Sequence, residues 1–380
     1  MPEGLTGGVR LNLFIGPVVP IPAPREVVEA VDSVSVQIGS GEIQGGFEIT
    51  FKLSRRSPLH TIFLLTGGAT IPIVRVVIVA TVRGQAEVLM DGVMTNHEVR
   101  DGGGGEPTLV VKGKDLSAVM DYVEFDGIPY PAMPPVLRAL LVLAKYAAFG
   151  VVPMTIPSII EDIPIPIESI PRHQGTDYGY LKMLASEVGY VFYLDPGPVP
   201  GTSRAYWGPE IRVGAPQPAL NLDLDAPHRN VESLSFSFDK ERKELPVVWI
   251  QEQYSKAPIG IPIPDITPFN PPLGVVPPLP PKIKFLNEEA KLKPWVALMR
   301  GLAYASQHSD SVFGQGSLDV ARYGRVLKSR GLVGVRGAGE AFDGLYYVSS
   351  VSSTIKRGEF KQSFTLARNG LLSTIPKVPT

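Results

Sequence analysis

The chain has 380 residues, no cysteine, and 36 basic against 37 acidic side chains, for a formal net charge of -1. That length allows two or three domains whose cores need no disulfide or metal staple. The missing cysteines exclude thiolate nucleophiles, Cys-ligated zinc, iron–sulfur clusters and disulfides, and the balanced charge supplies no general field for nucleic acid or an anionic membrane.

Glycine (39) and proline (38) are abundant and fall in blocks without a period, which excludes collagen and favours loop-rich β architecture. The start, Met1-Pro2-Glu3-Gly4, carries no basic region, and the apolar run after Arg10 is broken by Gly16, Pro17, Pro20, Pro22 and Pro24; no signal peptide is expected. From Arg25 to Gly113 the pattern is that of strands: Val34, Val36 and Ile38 alternating, then 47–51, 61–65, 73–82 and 87–99. Each is short and closed by Gly, Pro or Asp, the spacing of a sandwich or barrel. The glycine run 102–105 lacks the Lys-Ser/Thr of a phosphate loop and is expected to be a hairpin turn.

After Lys112-Gly113-Lys114 the period changes to helical, with Asp115 as N-cap and Leu116, Val119, Met120 and Val123 on one face. A second helix, 136–149, carries Arg138 and Lys145 on one side and Leu137, Leu140, Leu141, Ala144 and Ala148 on the other. It reads as a core helix with a thin charged solvent stripe, and is too short for the roughly 20 residues of a membrane span. A proline-rich passage (151–171) precedes a helix capped by Thr176 or Asp177, closed by Gly189 and followed by the strand 190–194.

Strand character returns at 231–238 and 246–254. The passage 257–281 is so rich in proline that it is expected to lie extended without ladder bonds. Helices are predicted over 294–305 and 318–330, then strands over 332–335, 345–355 and 360–367.

Two stretches repeat. Val31-Asp-Ser-Val-Ser-Val-Gln-Ile38 lines up with Val231-Glu-Ser-Leu-Ser-Phe-Ser-Phe238: an acid second, serine third and fifth, apolar residues at every even place after it. Val82-Arg-Gly84 with Glu87 and Asp91-Gly92 recurs as Val335-Arg-Gly337 with Glu340 and Asp343-Gly344. A repeat in fixed order argues for two related β domains. The expected fold is therefore α+β, mainly β: two related antiparallel β-barrel domains with a helical and proline-rich insertion region. The expected limits are 1–113 for the first barrel, 114–225 for a helical insertion, 226–254 for the first part of the second barrel, 255–325 for a second insertion, and 326–375 for the rest of the second barrel.

Catalytic signatures are absent: there is no HExxH, GxSxG, P-loop or calcium loop. The five histidines (His60, His97, His173, His228, His308) have no ligand spacing, and Gly334 to Gly339 lacks the third glycine of a dinucleotide loop. Acid pairs occur as Glu161-Asp162, Asp223 with Asp225, and Glu288-Glu289, but sequence neighbours rarely face one another across a cleft. Basic residues gather near the C-terminus (Lys328, Arg330, Arg336, Lys356, Arg357, Lys361, Arg368), enough to complement an acidic partner ring. No catalytic, cofactor-binding or metal residue is singled out, no cofactor is expected, and nucleic-acid binding is not predicted.

Several segments together resemble the phage late control protein D family, the tail and baseplate hub proteins related to the hub part of VgrG spikes. They are 318–324 (LDVARYG), 332–339 (LVGVRGAG), 342–348 (FDGLYYV), 360–366 (FKQSFTL), Lys112-Gly-Lys-Asp-Leu-Ser117, and Tyr180-Leu-Lys-Met-Leu-Ala185 with Gly189-Tyr-Val-Phe-Tyr193. Where that family often has a histidine in the penultimate strand, this chain has Ser352-Ser353-Thr354. The resemblance implies a non-enzymatic structural protein, a homotrimer whose two barrels per chain offer six near-equivalent surfaces to a tail tube above and three to a spike below. Baseplate wedge proteins would lie beside it, with assembly in the bacterial cytoplasm into a phage tail or injection particle. Two other classes remain open from the residues alone: a carbohydrate-binding or adhesive β protein, needing an exposed platform from Trp207, Trp249 or Trp295, and a cell-wall glycoside hydrolase using an acid pair such as Asp223 and Asp225.

Overall fold

A computed structural model describes residues 9–41, 43–54, 57–59, 62–63, 73–101, 106–158, 163–167, 170–222, 229–251, 258–264, 270–286, 294–375 and 378. In chain order the first part holds β1 (Val9–Gly16), β2 (Ile21–Pro22), α1 (Arg25–Glu29), β3 (Val31–Gly39), β4 (Gly46–Lys52), β5 (Arg75–Val82), β6 (Gln85–Arg100) and β7 (Thr108–Asp115). The middle follows with α2 (Ser117–Met120), α3 (Pro135–Ala144), β8 (Val151–Thr155), α4 (Asp177–Glu187), β9 (Val191–Pro196), β10 (Ser203–Gly208) and β11 (Gln217–Asn221). The last part comprises β12 (Ser233–Phe238), β13 (Glu244–Gln251), β14 (Pro258–Pro262), β15 (Gly274–Val276), β16 (Lys282–Leu286), α5 (Pro294–Gln307), β17 (Val312–Asp319), α6 (Val320–Tyr323), β18 (Leu332–Arg336), β19 (Gly344–Lys356), β20 (Glu359–Arg368) and β21 (Leu371–Ser373).

Thirteen strands join one sheet in the order β12-β17-β20-β19-β3-β4-β7-β6-β5-β1-β2, with β18 on β19 and β11 on β18. Two-residue alternation sends Val34, Val36, Phe47, Ile49, Leu109 and Val111 to one face, where they are buried. Val351, Ile355, Phe360, Phe364 and Leu366 from the far end of the chain enter the same hydrophobic core. The protein is mainly β with a large antiparallel sheet; among the described residues no ladder closes either half of that sheet on itself.

A second core lies under α3, α4 and the sheet β8-β10-β9, centred on Tyr180, Leu181, Leu184, Phe192 and Trp207. Thr176 resolves the two candidate caps of α4, its hydroxyl accepting Gly179 N at 3.1 Å. Gly189, at φ +75°, ends that helix in the left-handed conformation expected past a helix terminus.

The orientation of α3 overturns its sequence reading. Arg138 is buried and donates to the Tyr180 hydroxyl at 3.1 Å, while Leu137 and Leu141 are exposed. The inner side is a polar cluster: Lys145 Nζ reaches both Asp177 oxygens at 2.8 and 2.9 Å, Tyr146 donates to Asp177 at 2.7 Å, and the Tyr130 hydroxyl lies 3.0 Å from His173 Nδ1. Arg138 thus turns inward onto a neutral tyrosine hydroxyl, while Lys145 stays partly exposed and reaches in to the buried Asp177 carboxylate.

Other expectations also need correction. Residues 318–330 form no long helix; β17 runs to Asp319, and α6 stops after four residues at Gly324, which is left-handed (φ +89°). The predicted helix after Asp115 is one turn, and the Asp115 carboxylate binds Ser117 N at 2.9 Å and Gly45 N at 2.8 Å, tying the turn to β4. The proline-rich passage does join ladders: Pro258–Pro262 pair with Val247 to Gln251, which makes β14 an edge strand on β13, and β15 pairs with β21. Proline is admissible there because β14 is an edge and its prolines stand at its ends. Within 226–254, β12 joins the large sheet but β13 belongs to the separate sheet β14-β13-β16, covered by α5. Conversely β11, inside the stretch read as an insertion, pairs with β18. Residues 55–56, 60–61 and 64–72 leave most of the 61–65 strand expectation outside the described residues, and the glycine run 102–105 lies outside them too.

Candidate assembly interface

Taken in chain order, β1, β3, β4, β5, β6 and β7 correspond to β11, β12, β17, β18, β19 and β20. The first set has the spatial order β3-β4-β7-β6-β5-β1 and the second β12-β17-β20-β19-β18-β11. Each antiparallel pairing recurs except the last: β1 is antiparallel to β5, whereas β11 is parallel to β18.

Two β-bulges fix the correspondence to single residues. Opposite β7, β6 has one extra residue, Thr95; opposite β20, β19 has one extra residue, Ser349. Setting Thr95 on Ser349 and following the rungs through β7 and β20, then β4 and β17, brings Ser33 onto Ser233, Val34 onto Leu234 and Val36 onto Phe236. This is the alignment in which the two sequences repeat. The second repeat holds for the strand pair but not the rung, since Asp91 falls on Leu345 instead of Asp343.

The two units meet where β19 pairs antiparallel with β3 over Ser350↔Gly39 to Lys356↔Ser33. The buried face of this junction carries Val34, Val36, Val351 and Ile355. The opposite face holds a shallow trough lined by the uncharged side chains of Gln37, Gln315, Ser317, Ser352, Ser363 and Thr365, with Lys356 on the same face at the junction's end. Hydroxyl and amide side chains occupy the trough because each strand there alternates Ser, Thr or Gln with an apolar residue.

The remaining candidates from the sequence do not converge. Arg368 is buried and donates to Asp343 O and Ala341 O; Arg330 pairs with Asp195 over the Tyr193 ring. Lys361 pairs with Glu232 and Glu359, Lys328 with Glu87, and Arg336 and Arg357 donate to the carbonyls of Val378 and Glu29. These six make contacts within the chain, and exposed Lys356 stands with Arg357 and Lys361 at the β19–β20 turn, so the seven form no single patch. Trp207 is in the core, Trp249 stacks on Phe285 and Trp295 is half-buried, which gives no exposed tryptophan platform. His97 is half-buried on β6, His308 stacks on Tyr304, and His173 is enclosed in the polar cluster, where burial lowers its pKa. Burial, and then the bond to Asp177, holds the Tyr146 hydroxyl far above its ordinary pKa. The acid pairs Glu161-Asp162, Asp223 with Asp225 and Glu288-Glu289, and His60 and His228, lie outside the described residues. Among the described residues no group of three or more His, Asp or Glu side chains is placed to hold a metal ion, and no helix is long and apolar enough to cross a membrane.

Sequence reasoning missed β1 and β17. The signal in β17 was masked by Gly314 and Gly316, which depress strand propensity.

No protein-family model matches the chain and no curated protein is similar to it. Solved structures are. A tail protein from Neisseria meningitidis MC58 matches with TM-score 0.61 and 13% identity over 96% of this chain and 98% of that one. The 43 kDa tail protein of prophage MuSo2 from Shewanella oneidensis matches with TM-score 0.60 and 14% identity over 95% and 98%. A chain of the Francisella PdpA–VgrG complex matches with TM-score 0.61 and 8% identity, covering 100% of this chain and 55% of that one. The fold is that of phage tail proteins and of a chain in a VgrG complex.

Proposed function

We propose that this chain is a non-enzymatic structural subunit of a phage tail or contractile injection particle. Three copies would form a hub ring between a six-fold tail tube and a three-fold spike, with baseplate wedge proteins alongside. The carrying observation is the duplicated strand ladder, equivalent rung by rung from β3 to β20. A chain with two equivalent units presents six similar surfaces when three copies close into a ring, and a closed ring avoids open-ended association. The fold shared with two tail proteins over nearly their whole length supports the same reading.

Each half-sheet is proposed to curl into a barrel around its share of the common core, with the Ser/Thr/Gln face toward the ring's lumen. The divisions at 113, 225, 254 and 325 are part of this proposal, amended by assigning β11 to the second unit and β13 to the second insertion. Assembly would occur in the bacterial cytoplasm, ahead of incorporation into the particle.

Native mass spectrometry with negative-stain imaging tests the reading. The expected result is a trimeric ring; a stable monomer at tens of micromolar, with no ring in the images, overturns it.

A further inference from the structure

Inside the chain, the second unit's β19 offers the edge beyond its bulge to the first unit's β3. The first unit's counterpart of β19 is β6, and the second unit's counterpart of β3 is β12. Among the described residues, β6 beyond Val93 is laddered only to β7, and β12 is laddered only to β17. Among the described residues the sheet therefore ends, at two places, in the two halves of a junction that the chain completes once within itself.

We propose that a second copy of this chain docks its β12 antiparallel along the Asn96–Arg100 edge of β6, in the register of the internal junction. The proposal deepens the hub reading above and rests on it. Carrying the rungs across, Val351↔Ile38 becomes His97 opposite the partner subunit's Phe238, and Ser352↔Gln37 becomes Glu98 opposite the partner subunit's Ser237. Likewise Ser353↔Val36 becomes Val99 opposite the partner subunit's Phe236, and Thr354↔Ser35 becomes Arg100 opposite the partner subunit's Ser235.

Two further observations favour a copy of the chain over any other occupant. Ser353, covered at the internal junction, is 5% exposed, while its counterpart Val99 is an apolar side chain left 50% exposed. The strand Ser233-Leu-Ser-Phe-Ser-Phe238 has no charge, no proline and no bulge, so it lacks the devices that keep an edge from pairing. Each edge also has a known complement, because the other edge is its match by the internal example. The contact is heterologous, β6 of one copy on β12 of the next, so it closes only if successive copies come round into a ring.

The absence of cysteine makes the test direct. Glu98→Cys and Ser237→Cys are placed together in one chain; both sites are exposed and lie seven ladder steps apart within a protomer. Mild oxidation is expected to give disulfide-linked dimers and trimers on a non-reducing gel, ending at three chains. The offset pair Glu98→Cys with Ser233→Cys is expected to stay uncrosslinked. Val99→Lys, which is independent of thiol chemistry, is expected to leave the circular dichroism unchanged and shift the mass from trimer to monomer. A wild-type trimer in which the 98/237 pair fails to link and Val99→Lys stays trimeric overturns the edge pairing and leaves the hub reading standing. Cross-linking that runs past three chains upholds the pairing and overturns the closed ring, and a monomeric wild type overturns both.

Discussion

One rung of the first β unit reads Val36, Phe47, Gly113, Met94 across its four strands; the corresponding rung of the second reads Phe236, Gly314, Leu366, Val348. The next reads Val34, Ile49, Val111, His97 in one and Leu234, Gly316, Phe364, Val351 in the other. Bulk has moved between neighbouring strands. In the first unit β4 carries the large residues, and in the second β17 is reduced to glycine while β12 and β20 carry phenylalanine. Cores accept such exchanges when total volume is kept, and a ladder can therefore be preserved while most of the residue identities that would reveal it are lost.

The two units differ more sharply where the first contacts the helical region. Arg75 and Asp91 are buried and bidentate at 2.7 and 2.6 Å; Arg75 also donates to Val18 O and Gly201 O, and Ser203 to Asp91. The counterparts in the second unit are Leu332 and Leu345, which share a small apolar cluster with Leu273 and Tyr347. The largest expected effect follows from this contrast. Arg75→Leu leaves the Asp91 carboxylate buried without its cation and is expected to cost about 3–5 kcal/mol. Arg75→Leu with Asp91→Leu, which copies the second unit, is expected to recover a large part of that loss in urea melts, though the carbonyls of Val18 and Gly201 lose a donor. A double variant as unstable as the single one would mean the two units do not share a core plan at this rung.

A smaller effect sharpens the exchange of bulk. A Cβ on Gly314 would come within 2.9 Å of the Phe236 ring and 3.2 Å of Leu366 Cβ, so Gly314→Val is expected to cost about 1–3 kcal/mol by overpacking. Adding Phe236→Val restores the small partner that the first unit has at Val36, and is expected to return most of the lost stability. Thermal melts of the three proteins decide it: additive losses break the comparison, and recovery sustains it.

These contrasts also explain what could be read from the sequence. The 31–38 and 231–238 strands were legible because Ser faces solvent and Val, Leu or Phe faces the core in both, a pattern that exchange of bulk leaves intact. β17 was not, since its glycines owe their place to Phe236 and Phe364 on neighbouring strands. That β19 pairs with β3, about 300 residues away, has no local signal: the Ser and Val alternation of both strands fits any partner of the same period. The inverted face of α3 was hidden for a related reason, because helical spacing records which residues share a side but not that His173, Asp177 and Tyr146 await the charged one.

That polar cluster gives the smallest expected effect, and one confined to the region between the two units. His173 is buried; its Nε2 lies 3.4 Å from Asp177, and Lys145, bound to the same carboxylate, opposes a second positive charge. Burial, more than any neighbouring charge, lowers its pKa in the fold, with the charges of Asp177 and Asp126 pulling the other way and that of Lys145 adding to the lowering. A histidine with a lowered folded pKa binds its proton more readily when unfolded. It therefore leaves stability untouched above the unfolded pKa of about 6.5 and erodes it as pH falls below that value. The protection factors of α4 amides, which compare observed with intrinsic exchange, are expected to fall between pH 7 and 5, while those in β3 and β20, whose described core holds no buried histidine, stay level. His173→Gln removes the titrating group and is expected to flatten the α4 response alone. An unchanged response in that variant would place the source of the acid sensitivity outside the imidazole.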